Sequence, residues 1–329
     1  MCLAMLLSWF YNDSTDRISN MLNTLINWFK PTFHIDDCIA VAASLRGIRQ
    51  ENQDNYLLIH PTGKAHYLHN EQGIDSPYQH RTKIGYRLAV TDGMGGHEGG
   101  RQVSQALVQQ LRHLALQTSA KTLRQNIYQI HYELWCAFSQ KNSPKSAGTT
   151  LVMADVQENG KTVIANIGDS RAYLWRNQHW RCLSHDQTLN EYDWRDGDIN
   201  DQDYQTQALQ KSSALSQAMA YGSFGLIQQE NNFKPRQLSQ HLRLDLSEDL
   251  SRGKRNHADV FHLQLQAGDA LLLASDGLWS GYLSEEEFLP PSPQQLETPE
   301  KMRQYFQKKV IEKGGTDNIT AVMLWNIKT

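Results

Sequence analysis

Ten short β-prone runs, joined by turns rather than by regular helices, set the strongest limit on what this chain can fold into. They are CIAVAAS from Cys38, NYLLIH from Asn55, RLAVT from Arg87, TTLVMADV from Thr149, TVIANI from Thr162, SRAYLW from Ser170, HWRCLS from His179, DVFHLQL from Asp259, DALLLAS from Asp269 and NITAVMLWNI from Asn318. Strands linked by turns pair as antiparallel hairpins, because a parallel pair needs a long crossover between its strands. Helical periodicity appears near 100–118, near 120–140, where Leu123, Ile127, Ile130, Leu134 and Phe138 share a face, and near 298–312. The expected fold is therefore α+β, with two packed, mainly antiparallel sheets flanked by pairs of helices. The polar stretches 61–83 and 186–257 read as excursions from this core, the second as a hydrophilic, helix-prone surface subdomain.

The N-terminal segment has a different pattern. Ile18, Met21, Leu22, Leu25, Ile26 and Phe29 fall on one helical stripe, with Asp13 and Ser14 as caps upstream and Pro31 as the stop. Residues 1–36 thus read as an amphipathic helical extension and 37–329 as the main domain. The extension either packs on the domain's outside or docks a membrane or a partner. Its apolar start, MCLAMLLSWF, lacks a basic leader and a small-residue cleavage site, and it is too short to span a bilayer. A net charge of −3 gives no global reason to expect nucleic acid as a partner. Cys2, Cys38, Cys136 and Cys182 form no Cys-x-x-Cys pair, which argues against a zinc knuckle or disulfide framework and fits a reducing cytoplasm.

Chemistry concentrates where strands end. LAVTDGMGG and LLLASDGLW share one logic: an apolar strand delivers an aspartate, Asp92 or Asp276, and a glycine follows so that the backbone can approach something closely. Asp54, Asp169 and Asp317 stand at similar boundaries. Any one such turn has a dull explanation, since Asp and Gly are common turn residues. Several carboxylates at adjacent strand ends would instead repel one another unless a cation sat between them. Oxygen ligands without a His or Cys set suit Mg²⁺ or Mn²⁺ better than Zn²⁺. Ions of that kind activate water for attack on phosphorus, which makes phosphate ester hydrolysis the natural chemistry. Arg49 is the first candidate to hold phosphate oxygens and Arg46 the second.

These residues resemble the metal-dependent serine/threonine protein phosphatases of the protein phosphatase 2C-like class, in their bacterial form. The resemblance runs over roughly residues 38–327 and rests on RQENQD, DGMGG, SAGTT, NIGDSRAYLW, SHDQT, LLLASDGLW and GGTDNITAV, in the family's order. It implies a sandwich with α/β/β/α layers. It also implies that Asp92 bridges two Mn²⁺ or Mg²⁺ ions, that the Gly93 carbonyl binds one of them, and that Asp276 and Asp317 complete the set. Arg49 would bind phosphate, Asp54 a water on the metal, and Asp169 with Asp276 a weaker third ion, while Asn318 supports Asp317. The implied substrates are phosphoproteins, the implied counterpart is a Ser/Thr kinase, and 186–222 matches a flap beside the site.

There are departures from the pattern. Gln53 stands where many members carry Glu, and Met94 stands where some carry a proposed general-acid histidine, leaving water or another side chain such as His97 to protonate the leaving alkoxide. The rival reading is a catalytically silent phosphatase-like domain that binds a phosphoprotein or partner. Asp92, Asp276, Asp317 and Arg49 are all present, which favours an enzyme. A triad of Ser170, His185 and Asp186 lacks a nucleophile-elbow sequence, and His185 reads more simply as a structural turn histidine. Trp175, Trp180 and Trp279 read as packing residues.

Overall fold

The computed structural model describes residues 32–77, 85–95, 99–138, 147–188, 190, 194, 198–200, 202–204, 206, 215, 217–220, 259–282, 284–314 and 317–328. The N-terminal stripe from Ile18 to Phe29, Cys2, His97, Glu98 and most of the 186–257 insert lie outside the described residues. Two sheets dominate. One has five strands in the order β1 (Cys38–Leu45), β14 (Ile319–Asn326), β13 (Ala270–Ala274), β10 (Arg171–Arg176) and β11 (His179–Cys182). The other has seven, in the order β12 (Asp259–Gln264), β9 (Lys161–Ile167), β8 (Leu151–Gln157), β5 (Gly85–Thr91), β2 (Asn55–His60), β3 (Lys64–His69) and β4 (Gln72–Pro77). A two-residue pair, β6 (Gly93–Met94) with β7 (Gly148–Thr149), stands beside them. The neighbouring strands in these sheets pair antiparallel.

The sheets pack face to face through Leu88, Val90, Val152, Ala154 and Ile164 on one side and Ala172, Leu174, Leu271, Leu273, Val322 and Leu324 on the other. Helices α1 (Gly99–His113) and α2 (Ala120–Phe138) cover the outer face of the seven-stranded sheet, where Leu107, Leu111, Leu123 and Ile130 meet Leu57, Ala89, Met153 and Ala165. The short α3 (Glu285–Phe288) and α4 (Pro299–Lys313) cover the other outer face, with Phe288, Met302 and Phe306 against Leu272, Ala274 and Met323. A strand covered on both faces has no polar side, and β5, β13 and β14 are accordingly buried at every position. Helix α4 starts at Pro299 behind Thr298, whose hydroxyl accepts from the Lys301 N–H at 3.1 Å, and it stops at Gly314 in left-handed backbone. Phe33 and Ile35 also enter the core between the sheets, so the packed domain draws on residues a little before β1.

The stretch 61–77 departs from expectation. It is not an excursion; it adds β3 and β4 to the edge of the larger sheet, burying Ala65, Tyr67 and Leu68 while Lys64 and His69 face water. An edge hairpin buries few positions, so its sequence carries a weak apolar signal.

One buried ion pair organises the helical face. Arg87 on β5 and Asp155 on β8 are directly opposed and fully buried, with Nε to Oδ1 at 2.7 Å and Nη2 to Oδ2 at 2.6 Å. The same guanidinium donates to the carbonyls of Leu111 and Leu114 at 2.6 Å and of Ala115 at 2.9 Å, satisfying the end of α1. The Gln117 N–H adds a 2.6 Å bond to Asp155 Oδ2.

Candidate metal centre

Strand register brings the five aspartates to one end of the sandwich. In the larger sheet Asn55 opposes Thr91, so Asp54 just before β2 neighbours Asp92 just after β5. In the smaller sheet Ala274 opposes both Ala321 and Arg171. Asp276 after β13, Asp317 before β14 and Asp169 before β10 therefore emerge at the same end. The turn holding Asp169 joins β9 of one sheet to β10 of the other, and Leu151 opposes Ile167, which puts this turn beside Asp92. Leu45 opposes Ile319, so the loop after β1 with Arg46 and Arg49 opens here too.

Backbone and hydroxyl contacts fix these positions. The Asp92 N–H donates to Thr150 Oγ1, and the Asp92 carbonyl accepts from the Thr150 N–H and the Thr149 hydroxyl, each at 2.9 Å. Thr150 and Ser170 share a 2.6 Å hydroxyl contact, tying the Asp92 turn to the Asp169 turn. Ser275 Oγ donates to Asp54 Oδ2 at 2.7 Å and accepts from the Thr320 N–H at 2.9 Å, linking the two sheets at the site. Gly93 admits no side chain: a Cβ there would lie 2.4 Å from the Gly100 carbonyl oxygen and 2.7 Å from that of Gln53. Gly277 is equally confined, with the Asn318 carbonyl oxygen 2.0 Å from an added Cβ. The glycines after the two aspartates thus serve close backbone approach.

Asn318 acts more widely than its expected support of Asp317. Its N–H donates to Asp317 Oδ1 at 2.8 Å, and its side chain clamps the arginine loop, donating to the carbonyls of Arg46 (2.8 Å) and Glu51 (3.1 Å) and accepting from the Gln53 N–H (2.9 Å). Arg49, 54% exposed at its side chain, reaches Asp317 Oδ2 at 2.8 Å. The Gln53 amide donates to Glu51 Oε1 at 2.5 Å.

The electrostatics are unbalanced. Loss of water pushes the Asp92 carboxyl well above the usual carboxylate range, and the charges of Asp54, Asp276 and Asp169 add to the shift. Burial raises Asp54 to about 7 against the opposing Ser275 hydrogen bond, and raises Asp276 to about 6 with the Asp317 charge adding. Asp169 is raised by burial and by Asp276 and Asp186, while Arg171 pulls the other way. Asp92 and Asp276 stand close enough that each perturbs the other's carboxyl. Asp54 Oδ1 and Asp276 Oδ1 are buried without a hydrogen-bond partner. Among the described residues no three His, Cys, Asp or Glu side chains already close around a single point. The fit to a cation rests on oxygen donors, mutual repulsion and the two orphaned oxygens, a set that suits a hard divalent ion.

A supporting pair was not singled out in the sequence. Arg171 and Asp186 are both buried and doubly bonded, Nε to Oδ1 at 2.8 Å and Nη2 to Oδ2 at 2.6 Å, and the guanidinium lies 4.4 Å from the ring centre of Trp279. Trp279 is thus more than a packing residue. Trp175 and Trp180 do pack together, with ring centres 5.5 Å apart. Both residues stand within family motifs, Arg171 in NIGDSRAYLW and Asp186 in SHDQT, so the pair is legible in the sequence. The supposed triad does not assemble, because Ser170 bonds Thr150, Asp186 bonds Arg171, and buried His185 lies 3.2 Å from Asp259.

The family model described as "Protein phosphatase 2C" matches residues 62–313. The serine/threonine phosphatase stp of Listeria monocytogenes is 27% identical over 245 residues, covering 72% of this chain and 83% of that protein. Protein phosphatase PhpP of Streptococcus pneumoniae is 23% identical over 243 residues, covering 72% and 84%. Among solved structures, serine/threonine phosphatase PstP/Ppp of Mycobacterium tuberculosis superposes with a TM-score of 0.58 at 21% identity, covering 88% of this chain and 98% of that one. The catalytic domain of PstP solved with two manganese ions gives a TM-score of 0.56 at 20% identity, covering 88% and 97%.

Proposed function

The chain belongs to the protein phosphatase 2C family, and from that premise we infer that it removes phosphate from serine and threonine residues of proteins in a divalent-metal-dependent hydrolysis. The observation that carries this reading is the convergence of five aspartates and Arg49 at one end of the sandwich, with buried carboxylate oxygens left unsatisfied. A silent binding domain has no need of so costly a cluster of like charges.

The family resemblance supplies the roles. Asp92, the Gly93 carbonyl, Asp276 and Asp317 would hold two divalent ions, and Asp169 with Asp276 would hold a weaker third. Bound there, Mn²⁺ or Mg²⁺ supplies an activated water and neutralises charge on the phosphate. Asp54, held by Ser275, orients water beside the ions. Arg49 grips phosphate oxygens through its planar guanidinium, and the Asn318 clamp keeps its loop in place. Met94, two residues after Asp92, has no proton to give, so water or another side chain such as His97 protonates the leaving alkoxide.

The enzyme opposes a Ser/Thr kinase and works in the cytoplasm; scattered free thiols support this compartment, and no described helix is long and apolar enough to cross a membrane. Residues 1–36 are read as an extension that packs on the domain's outside or docks a partner, its Phe33 and Ile35 already entering the core, 37–329 as the catalytic domain, and 186–257 as its flap and insert. The test is hydrolysis of p-nitrophenyl phosphate and of a phosphothreonine peptide, with and without Mn²⁺. Turnover that requires the metal is expected, and well-folded protein without turnover in any divalent metal would sink the reading.

A further inference from the structure

One apolar side chain on the rim of this site stands exposed among the described residues. Ile48 is 72% exposed and lies next to Arg49 in the loop after β1. The other large hydrophobics exposed among the described residues lie elsewhere: Tyr132 on α2, Ile311 on α4, and Ile327 past the far end of β14. Single exposed apolar residues are common on protein surfaces and need a second reason to mean anything. Here the reason is that the loop cannot fold Ile48 inward.

Asn318 grips the backbone on both sides of it, at the Arg46 and Glu51 carbonyls. Gly47 holds a left-handed φ of 63°, and its backbone lies so close to Asp317 that an added Cβ would come 2.4 Å from the Asp317 carbonyl oxygen. Arg49 is tied to Asp317 on the following residue. Ile48 is therefore held outward on a fixed loop, one residue from the guanidinium assigned to the phosphate. The nearby rim is charged, with Arg101 paired to Glu51 at 3.5 Å and to Glu71 at 3.4 Å. Its fixed place one residue from Arg49, rather than its exposure alone, is what sets it where a substrate's flanking residue would lie.

We propose that Ile48 is a specificity-determining residue that receives an apolar side chain flanking the phosphorylated serine or threonine of the protein substrate, an inference resting on the phosphatase reading. Successive residues of an extended chain are about 3.8 Å apart, so with phosphate at Arg49 a side chain one or two residues away comes within reach of Ile48. Covering both apolar groups removes their surface from water and favours such substrates over polar ones.

The experiment compares wild type, Ile48→Ser and Ile48→Leu on two phosphothreonine peptides, one with leucines on both sides of the phosphothreonine and one with serines there. p-Nitrophenyl phosphate turnover and thermal melting of each sample report whether the phosphate site and the fold are intact. The ratio of kcat/KM for the leucine peptide to that for the serine peptide is expected to fall about fivefold in Ile48→Ser and to recover in Ile48→Leu. An unchanged ratio in active, folded variants overturns the inference alone. A wild type that hydrolyses none of the three compounds overturns the phosphatase reading and this inference with it.

Discussion

Two buried charge systems in this protein differ in a way that separates architecture from chemistry. Arg87 and Asp155 neutralise each other, and their remaining donors and acceptors meet the end of α1 and the Gln117 N–H. The aspartates at the strand ends are the reverse: carboxylates face carboxylates, the charges of Asp54, Asp276 and Asp169 drive Asp92 upward, and two buried oxygens have no partner. The first system is closed and holds a helix on a sheet. The second is open, and its imbalance marks the place where a cation belongs.

Substitutions sharpen the contrast. Asp92→Asn should lower metal-dependent phosphatase turnover by about 10³-fold or more, because it removes the carboxylate proposed to hold both ions. The same change should leave the melting temperature of metal-free protein equal or raised, since one repelling carboxylate is gone. Arg87→Ala should do the opposite, costing about 3–5 kcal/mol of stability, or roughly 10 °C in melting temperature, because Asp155 is left buried and unpaired. Equal loss of stability in both variants would break the distinction.

Arg49→Ala should raise KM for a phosphothreonine peptide by about 10- to 100-fold, the size of a lost charge-assisted contact, with a smaller effect on kcat. The smallest effect concerns pH. Asp276 and Asp54 are raised from 3.8 to about 6 and about 7. Groups raised in the folded state favour folding while protonated, so their contribution is complete below about pH 4 and is lost as pH rises through 6 to 7. Chelator-treated protein should melt about 5 °C lower at pH 8 than at pH 5, and Mn²⁺ at pH 8 should reverse the difference. A melting temperature indifferent to both would mean that the carboxylates are not the strained group they are taken to be.

Much of this was legible in the amino-acid order. The ten β-prone runs all became strands; those central in the sheets, such as β5, β13 and β14, are covered on both faces and so carry continuous apolar sequence. Asp92-Gly93 and Asp276-Gly277 were visible as a repeated strand-end pattern, and the structure supplies the reason for each glycine in a backbone oxygen 2.4 Å or less from any added Cβ. The hairpin of β3 and β4 was not legible, since β4, with the sequence QGIDSP, buries no position and leaves no apolar period. Neither were the two-residue strands β6 and β7, which are shorter than any period.

By itself, then, the sequence determined the strand content, the antiparallel habit, the placing of carboxylates at strand ends and the arginine beside them, because these follow from local alternation, turn chemistry and residue type. Only the tertiary structure decided what those groups face. Register put Asp54 next to Asp92 and Asp276 next to Asp317; the sandwich brought Ser275 of one sheet to Asp54 of the other; and Asn318, 267 residues from Glu51 along the chain, became the clamp of the arginine loop. Contacts between residues so far apart in sequence leave no periodic trace, since each depends on how two sheets twist and stack rather than on the residues beside it.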